Sequence, residues 1–401
     1  MLSAHSVAIA AALLFALSVS VLLVLTKQHH GVLTMDSAVG IQKFHVEPTP
    51  RVGGVGIYLG LLLAWGVVQG KEVRDILGII LLAGIPALAF GLLEDITKRV
   101  GVLTRLLATM AGGLVACLLS GIALNRLNVH GLDWLLSMTP VAVIVTAFAV
   151  GGVANAINII DGFHGLASGT SIIALLALAA IAARSDDAPL ALACILVAAP
   201  VVGFWLVNYP WGKLFMGDGG AYFVGFALAW LAVLLPMRNP VVSPWASLLV
   251  CAYPIIEVLY SVVRRYVSHR SPGAPDNYHL HSLIKTKVIR PKLSAMGVKN
   301  TNVRNAAVSP IVWSFASMPA IVAIAFFDQS LLLVLASMAC LFLYHAAHSY
   351  LTRMKPVGQS AAPESSPSPG PNCPWVLTCQ SACHERDLFL FNGGGNRLST
   401  S

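Results

Sequence analysis

Residues 140–169 read PVAVIVTAFAVGGVANAINIIDGFHGLASG, and this stretch decides the fold. The twenty residues from Val141 to Ile160 contain no Asp, Glu, Lys or Arg. An α-helix of about that length crosses the roughly 30 Å hydrocarbon core of a bilayer. The apolar run ends at Asp161 and Gly162, and a second apolar run follows. The pattern predicts membrane-spanning helices joined by short Gly-rich segments that carry charged side chains.

The same pattern recurs along the whole chain. Of its 401 residues, 57% are apolar and only 10% are charged, which is too little polar surface to cover a soluble globule of this size. The fold class predicted is therefore all-α, a polytopic membrane protein with 10–11 transmembrane helices. Apolar spans are expected near residues 7–25, 54–70, 76–93, 104–121, 138–157, 165–183, 188–207, 219–236, 244–263, 306–326 and 329–350.

The basic residues predict the orientation of these spans. If the N-terminus lies outside, 20 of the 25 Lys and Arg residues fall on cytoplasmic segments. Because cytoplasmic loops carry the excess of Lys and Arg, we expect an N-out/C-in, multi-pass protein of the cell (inner) membrane. The net charge of +8 is then a topology signal and an attraction for anionic lipid and phosphate, so no nucleic-acid partner is expected.

The chain divides into two predicted regions. Residues 1–356 form an integral membrane domain with one long cytoplasmic loop, 264–305. Residues 357–401 are rich in Ser, Pro and Gly, and such a composition predicts a disordered cytoplasmic tail. An altered reading frame at the end of the gene is the alternative explanation for this tail.

Acidic residues cluster at predicted helix ends on the cytoplasmic side. For any single one, a solvated interfacial charge is the simple alternative, but four in Gly-rich or Asn-rich surroundings favour a site. Asn155, Asn158 and Asp161 have three-residue spacing, so they share one face of a helix. The four acids are Glu94, Asp95, Asp161 and Asp218.

Asp218 stands between glycines directly before a predicted helix, in KLFMGDGGAYFVGF. The free N–H groups at the start of a helix favour phosphate. Carboxylates alone repel phosphate, and a divalent cation removes this conflict because Mg²⁺ takes one or two protein carboxylates and leaves positions for substrate oxygens. The sequence thus predicts a Mg²⁺ site at Asp218, with Mn²⁺ as an alternative.

Two basic segments lie on the same predicted face. QKFHVEPTPRVGG contributes Lys43 and Arg51, and PDNYHLHSL contributes His279 and His281. Phosphate binding is favoured for the histidines over zinc, since their spacing is not that of a helical metal pair. Glu257 lies inside the ninth span, where an ionisable side chain is costly unless paired. Its predicted partner is Arg264, two turns along the same helix.

Five segments in this order resemble the polyprenyl-phosphate N-acetylhexosamine-1-phosphate transferases, the membrane family that includes phospho-N-acetylmuramoyl-pentapeptide transferase. The resemblance covers roughly residues 36–290. The segments are PTPRVGG at 48–54, the acidic pair at 94–95, NIIDG at 158–162 with GLASG following, FMGDGG at 215–220, and HLH at 279–281.

The resemblance implies an enzyme that transfers a HexNAc 1-phosphate from a UDP-N-acetylhexosamine to undecaprenyl phosphate and releases UMP. Such a step begins an O-antigen, a capsule or another cell-envelope glycan. The carried-over roles are catalysis for Glu94, Asp95 and Asp161, metal binding for Asp218, and substrate binding for Lys43, Arg51, Asn158, His279 and His281. The catalytic carboxylates either deprotonate the lipid phosphate or replace it as the nucleophile. The resemblance leaves open whether the protein forms a homodimer.

Three residues depart from the family pattern. Glu94 stands where the first Asp of the acidic pair is usual, His164 replaces a second Asp in the block that begins at Asp161, and Ser282 replaces the last His of the histidine segment. The reaction class survives these changes, whereas the choice of sugar is put in doubt.

Two other classes of protein remain as alternatives. A secondary transporter of an anionic or sugar-phosphate substrate has ionisable residues near the midplane of discontinuous helices, and only Glu257 fits that description. A non-enzymatic membrane scaffold predicts no clustering of acids on one side.

Overall fold

The computed structural model describes residues 2–36, 49–269 and 278–354. Lys43 and the tail 357–401 lie outside the described residues.

In the described part, helices account for nearly all of the regular structure, and two-residue strands β1 (Met35–Asp36) and β2 (Thr49–Pro50) pair antiparallel. The helices are α1 (Leu2–Leu25), α2 (Lys27–Thr34), α3 (Gly53–Val67), α4 (Lys71–Ala83), α5 (Ile85–Thr97), α6 (Val102–Ser120), α7 (His130–Leu136), α8 (Thr139–Ile160), α9 (Leu166–Arg184), α10 (Ala188–Asn208), α11 (Gly217–Arg238), α12 (Pro244–Val250), α13 (Ala252–Val267), α14 (Leu280–Leu283), a π-helix (Ile284–Ile289), α15 (Arg290–Ala295), α16 (Thr301–Ala306), α17 (Val308–Ala325) and α18 (Ser330–Arg353).

The helices are those of a multi-pass membrane protein, as the apolar spans predict. Within the described ranges, nine helices are long and apolar enough to cross a bilayer. They are α1, α4 with α5, α6, α8, α9, α10, α11, α16 with α17, and α18. The predicted ninth span is instead two helices, α12 and α13, bent by 77°. The predicted second span is α3, which has only 15 residues.

Helix α11 is the central helix of the bundle. In its most apolar window 89% of the residues are buried. Around it, glycines bring helices into contact through their main chains: a side chain on Gly54 of α3 would collide with Gly220, and one on Gly91 of α5 would collide with Gly219. Small residues of this kind allow close approach of helices inside a membrane. The main chain of α11 is therefore fixed by its neighbours on several sides.

The loop before α11 is held by the segment before α3. The N–H of Gly53 donates to the carbonyl of Phe215 at 3.0 Å, and the N–H of Gly54 donates to that of Met216 at 3.0 Å. The N–H of Phe215 in turn donates to the carbonyl of Pro50 at 2.9 Å. The PTPRVGG and FMGDGG segments, far apart in sequence, thus form one main-chain unit.

The other end of α11 is also fixed, by Arg238. Its Nε lies 2.8 Å from Asp187 Oδ2, and its Nη2 lies 2.6 Å from Glu72 Oε1. Because α11 has 22 residues, this group lies about 33 Å from the N-terminus of the helix, close to the thickness of a bilayer core. Residues near Gly217 and residues near Arg238 therefore face opposite sides of the membrane.

Substitution of Gly54 by alanine tests the close contact between α3 and α11. The new methyl group would collide with the main chain of Gly220. Overpacking of this kind typically costs about 1–3 kcal/mol. We expect Gly54→Ala to lower the unfolding temperature of the detergent-solubilised protein. Gly66→Ala is the control, since Gly66 is exposed on the same helix and a side chain there would meet nothing within 4 Å. Equal unfolding temperatures for the two variants would contradict this packing.

Candidate active site

Asp218 lies in the first turn of α11 and receives three side chains from other parts of the chain. Its Oδ1 is 2.9 Å from Arg51 Nη2 and 3.1 Å from Asn158 Nδ2. Its Oδ2 forms an ion pair with Arg105. Only 6% of Asp218 is exposed, so this carboxylate is surrounded by two guanidinium groups and one amide. Such an arrangement holds an anionic centre and two cationic groups within reach of a phosphorylated ligand.

Asp95, near the end of α5, caps the N-terminus of α11. Its Oδ1 accepts the N–H of Asp218 at 3.0 Å, and its Oδ2 accepts the N–H of Gly219 at 2.9 Å. These N–H groups have no partner within α11 itself. Gly217 has a φ of 74°, and a side chain there would lie 2.6 Å from Asp95 Oδ2, so a glycine is needed at this turn. The acidic pair and the FMGDGG segment therefore meet directly.

Asp161 directly follows Ile160, the last residue of α8, and keeps part of its surface exposed. Burial raises the pKa of the Asp161 carboxyl to about 8; the nearby Arg51 opposes this rise, and the Asp95 carboxylate adds to it. Arg51 also lies 3.5 Å from Asp95 Oδ1. The carboxylates of three sequence segments thus share Arg51 as an electrostatic neighbour.

Glu94 adjoins Asp95 in sequence but makes a different contact. Its Oε2 accepts the N–H of Val100 at 2.7 Å, so it fixes the turn that follows α5. The predicted catalytic role of Glu94 remains a prediction, as do the roles of Asp95 and Asp161.

Arg105 is the site residue that the sequence analysis missed. It lies in the first turn of α6, where its side chain is 11% exposed, pairs with Asp218 and stands 5.6 Å from the centre of the Tyr222 ring. It is the only charged residue of that helix. An ionisable residue within an apolar span is a signal of function, and this signal was available in the sequence.

A second group of polar side chains, the histidine cluster, consists of Glu257, His279, His281 and Tyr253. Glu257 is fully buried, and its Oε1 lies 3.0 Å from His279 Nδ1 and accepts the N–H of Leu280 at 2.9 Å. Its Oε2 lies 3.7 Å from His281 Nδ1. The Tyr253 hydroxyl lies 3.3 Å from the same His281 nitrogen.

The predicted pairing of Glu257 with Arg264 is wrong. Arg264 donates to the carbonyl of Tyr278 at 2.9 Å and lies 3.3 Å from the Ser261 hydroxyl. Helical spacing identifies partners only within one helix, whereas the actual partners of Glu257 come from the segment around His279, which lies further along the chain.

Phe163 connects the histidine cluster with the carboxylates. The edge of its ring meets His281 at a centroid distance of 5.4 Å, and Lys285 Nζ stands 5.3 Å from the centre of its ring. Phe163 is two residues from Asp161, so the histidine segment packs beside the loop that carries this carboxylate.

Two of the residues that depart from the family pattern are buried. His164 is 2% exposed, and its Nδ1 lies 3.0 Å from the carbonyl of Pro210. The loop after α8 is therefore tied to the loop that precedes α11. Ser282 is 4% exposed and lies in the single turn of α14.

A Mg²⁺ ion at this site would take the Asp218 carboxylate in place of its contacts with Arg51 and Arg105. Among residues 2–36, 49–269 and 278–354, no three His, Cys, Asp or Glu residues are placed to hold a metal together. Mg²⁺ does not require such a cage, because it commonly takes one or two carboxylates, with waters and substrate phosphates as further ligands. Asp218 supplies the carboxylate oxygen that such an ion prefers, and the Asn158 amide beside it adds another oxygen donor.

Lys285 predicts how stability depends on pH. It is 7% exposed, and burial, with Arg290 and Arg304 nearby, lowers its pKa to about 7. The folded protein thus favours the neutral amine, and we expect stability to rise as pH increases from about 7 towards the pKa of an unfolded lysine, about 10.4. Lys285→Met should remove this rise and stabilise the protein at pH 7 by a few kcal/mol, since one pKa unit is about 1.4 kcal/mol.

The measurement is the unfolding temperature between pH 7 and pH 9. The control is Lys292→Met, because Lys292 is exposed on the same segment and its removal should leave the pH dependence unchanged. An unaltered pH dependence in Lys285→Met would contradict the assignment.

Comparisons with known proteins identify a family and several relatives that are similar to this chain. Residues 77–236, which run from α4 into α11, match the family described as Glycosyl transferase family 4. This part of the chain is similar to that family, and the resemblance of the chain to the polyprenyl-phosphate N-acetylhexosamine-1-phosphate transferases is confirmed.

Individual relatives are similar at modest identity. A protein of Bacillus subtilis (strain 168) named "Probable undecaprenyl-phosphate N-acetylglucosaminyl 1-phosphate transferase" is 26% identical over 259 residues, which are 64% of this chain and 71% of the relative. The undecaprenyl-phosphate alpha-N-acetylglucosaminyl 1-phosphate transferase of Yersinia pestis is 27% identical, over 61% of this chain and 67% of its own. The decaprenyl-phosphate N-acetylglucosaminephosphotransferase of Mycobacterium leprae is 29% identical, over 59% and 66%.

Proposed function

We propose that this protein transfers an N-acetylhexosamine 1-phosphate from a UDP-sugar to undecaprenyl phosphate and releases UMP. The reaction would take place at the cytoplasmic face of the inner membrane and begin a surface polysaccharide or another cell-envelope glycan. One observation carries the proposal: Asp218 at the start of the central helix lies among Arg51, Arg105 and Asn158, with the Asp95 carboxylate beneath it. The names of the relatives support the reaction class and the polyprenyl phosphate acceptor.

In this proposal, Asp218 would hold a Mg²⁺ ion, and the chemistry supplied by that ion would be neutralisation of the charge on the UMP leaving group. Arg51 and Arg105, which contact Asp218 in the structure, would turn to the phosphate oxygens of the UDP-sugar. Asn158 would keep the Asp218 carboxylate oriented, and Asp95 would keep the first turn of α11 in place.

Asp161 would accept the proton of the lipid phosphate and later release it. Its pKa of about 8 is near the working pH of the cytoplasm, and a group of this kind both accepts and releases a proton readily. Direct attack by the lipid phosphate and a covalent enzyme intermediate both agree with this position. Lys43, His279 and His281 are proposed to bind the remaining phosphate oxygens or the sugar.

The experiment that tests the function uses purified protein, undecaprenyl phosphate, Mg²⁺ and a panel of UDP-N-acetylhexosamines. We expect one donor to yield UMP and a lipid product whose mass equals that of undecaprenyl phosphate plus one HexNAc 1-phosphate. A second reaction without undecaprenyl phosphate is the control and should give no lipid product and no more than one UMP per enzyme molecule, the amount that a covalent intermediate would release. Failure of every donor to yield a lipid product would reject the proposal.

A secondary transporter remains the second candidate, because one observation favours it. The pair α12 and α13 is a broken helix bent by 77°, and the fully buried Glu257 lies just beyond the break. Broken helices with an ionisable residue are typical of transport sites. Radiolabelled sugar phosphate that enters sealed proteoliposomes without attachment to lipid would favour this reading over the transferase.

A further inference from the structure

We infer that Glu257 is a positioning residue for substrate binding: it orients both histidines of the HLH segment so that their Nε2 atoms face away from α13, towards the ligand. The inference rests on the proposed function and deepens it. It assigns a role in the site to a carboxylate that the sequence analysis treated as structural support.

The two histidine rings share one neighbour, the Glu257 carboxylate. Both His279 Nδ1 and His281 Nδ1 approach the Glu257 carboxylate, at 3.0 and 3.7 Å. The rings are stacked, with an interplanar angle of 4° and a centroid distance of 5.3 Å. Nδ1 and Nε2 lie on different edges of an imidazole ring, so each ring that turns its Nδ1 to Glu257 directs its Nε2 away from that carboxylate. In the proposed arrangement, these two nitrogens contact one ligand.

The proton between Glu257 and His279 has a defined position. An ionised carboxylate only accepts hydrogen bonds, so His279 Nδ1, at 3.0 Å from Glu257 Oε1, must carry the proton that is shared between them. Glu257 therefore fixes the tautomer of His279, as carboxylates do for histidines in many functional sites. A histidine fixed in this way presents a defined Nε2 to a ligand.

Glu257 also fixes the main chain of the HLH segment. The N–H of Leu280, between the two histidines, also donates to Glu257 Oε1 at 2.9 Å. One carboxylate oxygen thus fixes a side chain and the backbone of the same segment. Leu280 is 0% exposed and Phe163 lies against His281, so the segment is held from both sides beside the loop of Asp161.

A buried carboxylate seldom stabilises a fold by itself, because the free energy lost on its desolvation often exceeds the free energy gained from its partners. Glu257 is 0% exposed, and its charged partners in the histidine cluster are two imidazole rings and not an arginine. The pairing of Glu257 with two histidines is explained if its function is to orient their rings.

The test combines kinetics with histidine NMR on the full-length protein in detergent. Glu257→Gln keeps one acceptor oxygen but replaces the other with an amide donor. We expect kcat/KM for the UDP-sugar to fall about 10- to 100-fold, the range seen when carboxylates that orient functional histidines are changed. The KM for undecaprenyl phosphate should stay within about twofold. A fall in kcat/KM for the UDP-sugar of less than threefold would overturn the inference.

A double-mutant cycle separates positioning from general destabilisation. In a His279→Ala/His281→Ala background, Glu257→Gln should cause no further loss of kcat/KM, because the groups through which it acts are gone. The same fold-loss in both backgrounds would overturn the inference. Asp187→Asn is the matched control: this buried carboxylate binds Arg238 at the opposite end of the bundle, so its loss should lower the unfolding temperature and leave the KM for the UDP-sugar unchanged.

The NMR readout does not depend on activity. In protein with ¹⁵N-labelled histidine, the Nδ1 signal assigned by comparison with His279→Ala should be protonated in the wild type and should shift in Glu257→Gln. An unshifted signal would overturn the inference even in an active enzyme. If the wild type transfers no sugar phosphate but the signal shifts as expected, the proposed function fails and the orientation of the histidines stands.

Discussion

Asp218→Asn is expected to reduce UMP release by about 1,000-fold or more, the scale of losses seen when a group that stabilises charge in the transition state is removed. The amide keeps the size of the side chain and one acceptor oxygen, so Asn158 and the first turn of α11 can stay in place. It removes the negative charge that pairs with Arg51 and Arg105 and that is proposed to hold Mg²⁺. The loss should therefore lie in kcat and persist at high Mg²⁺ concentration.

The matched control is Asp75→Asn. Asp75 is exposed on α4 and forms a surface pair with Lys71, and exposed pairs of this kind contribute little to stability because solvent screens them. Its activity should equal that of the wild type. Turnover of Asp218→Asn within tenfold of the wild type would reject the metal assignment at this position.

Asp95→Asn is expected to lower both activity and stability. Asp95 accepts two N–H groups, those of Asp218 and Gly219, with one oxygen each. An asparagine has one acceptor oxygen, so its NH₂ group must face one of these donors. A buried donor left without a partner costs about 1–3 kcal/mol. Because the first turn of α11 carries Asp218, we expect a loss of activity of at least about 100-fold with a lower unfolding temperature.

Glu94→Gln is the comparison for this variant. Glutamine still has an oxygen to accept the N–H of Val100, the one hydrogen bond described for Glu94, so its stability should match the wild type. The activity of Glu94→Gln distinguishes the two members of the acidic pair: a loss as large as that of Asp95→Asn would restore the predicted catalytic role of Glu94. An unfolding temperature of Asp95→Asn equal to that of the wild type would contradict the capping role of Asp95.

The membrane fold could be predicted from the sequence because its signal is local. A run of twenty apolar residues is sufficient to indicate a span, and the helices α6, α8, α9, α10, α11 and α18 lie where such runs occur. The break between α12 and α13 was not predicted, because the apolar composition continues across it. Hydropathy records the cost of exposing side chains to water and is insensitive to a change of direction within the bundle.

The candidate site could be predicted in part. The sequence marked Asp95 and Asp218, and the structure brings them together. It did not reveal that Arg105 pairs with Asp218 or that His279 pairs with Glu257. Both contacts join separate helices, and pairs of this kind are fixed by packing rather than by spacing along one helix. The Glu257–Arg264 prediction failed for the same reason.

The contacts that Gly54 and Gly91 make with α11 have a consequence for how such a protein can change over time. Main-chain atoms, rather than interlocking side chains, set the separation of these helices. Residues that face the lipid can therefore be exchanged freely among apolar types while the reacting groups keep their spacing. Related proteins in bilayers of different thickness, or with prenyl acceptors of different length, can then keep the same set of polar groups.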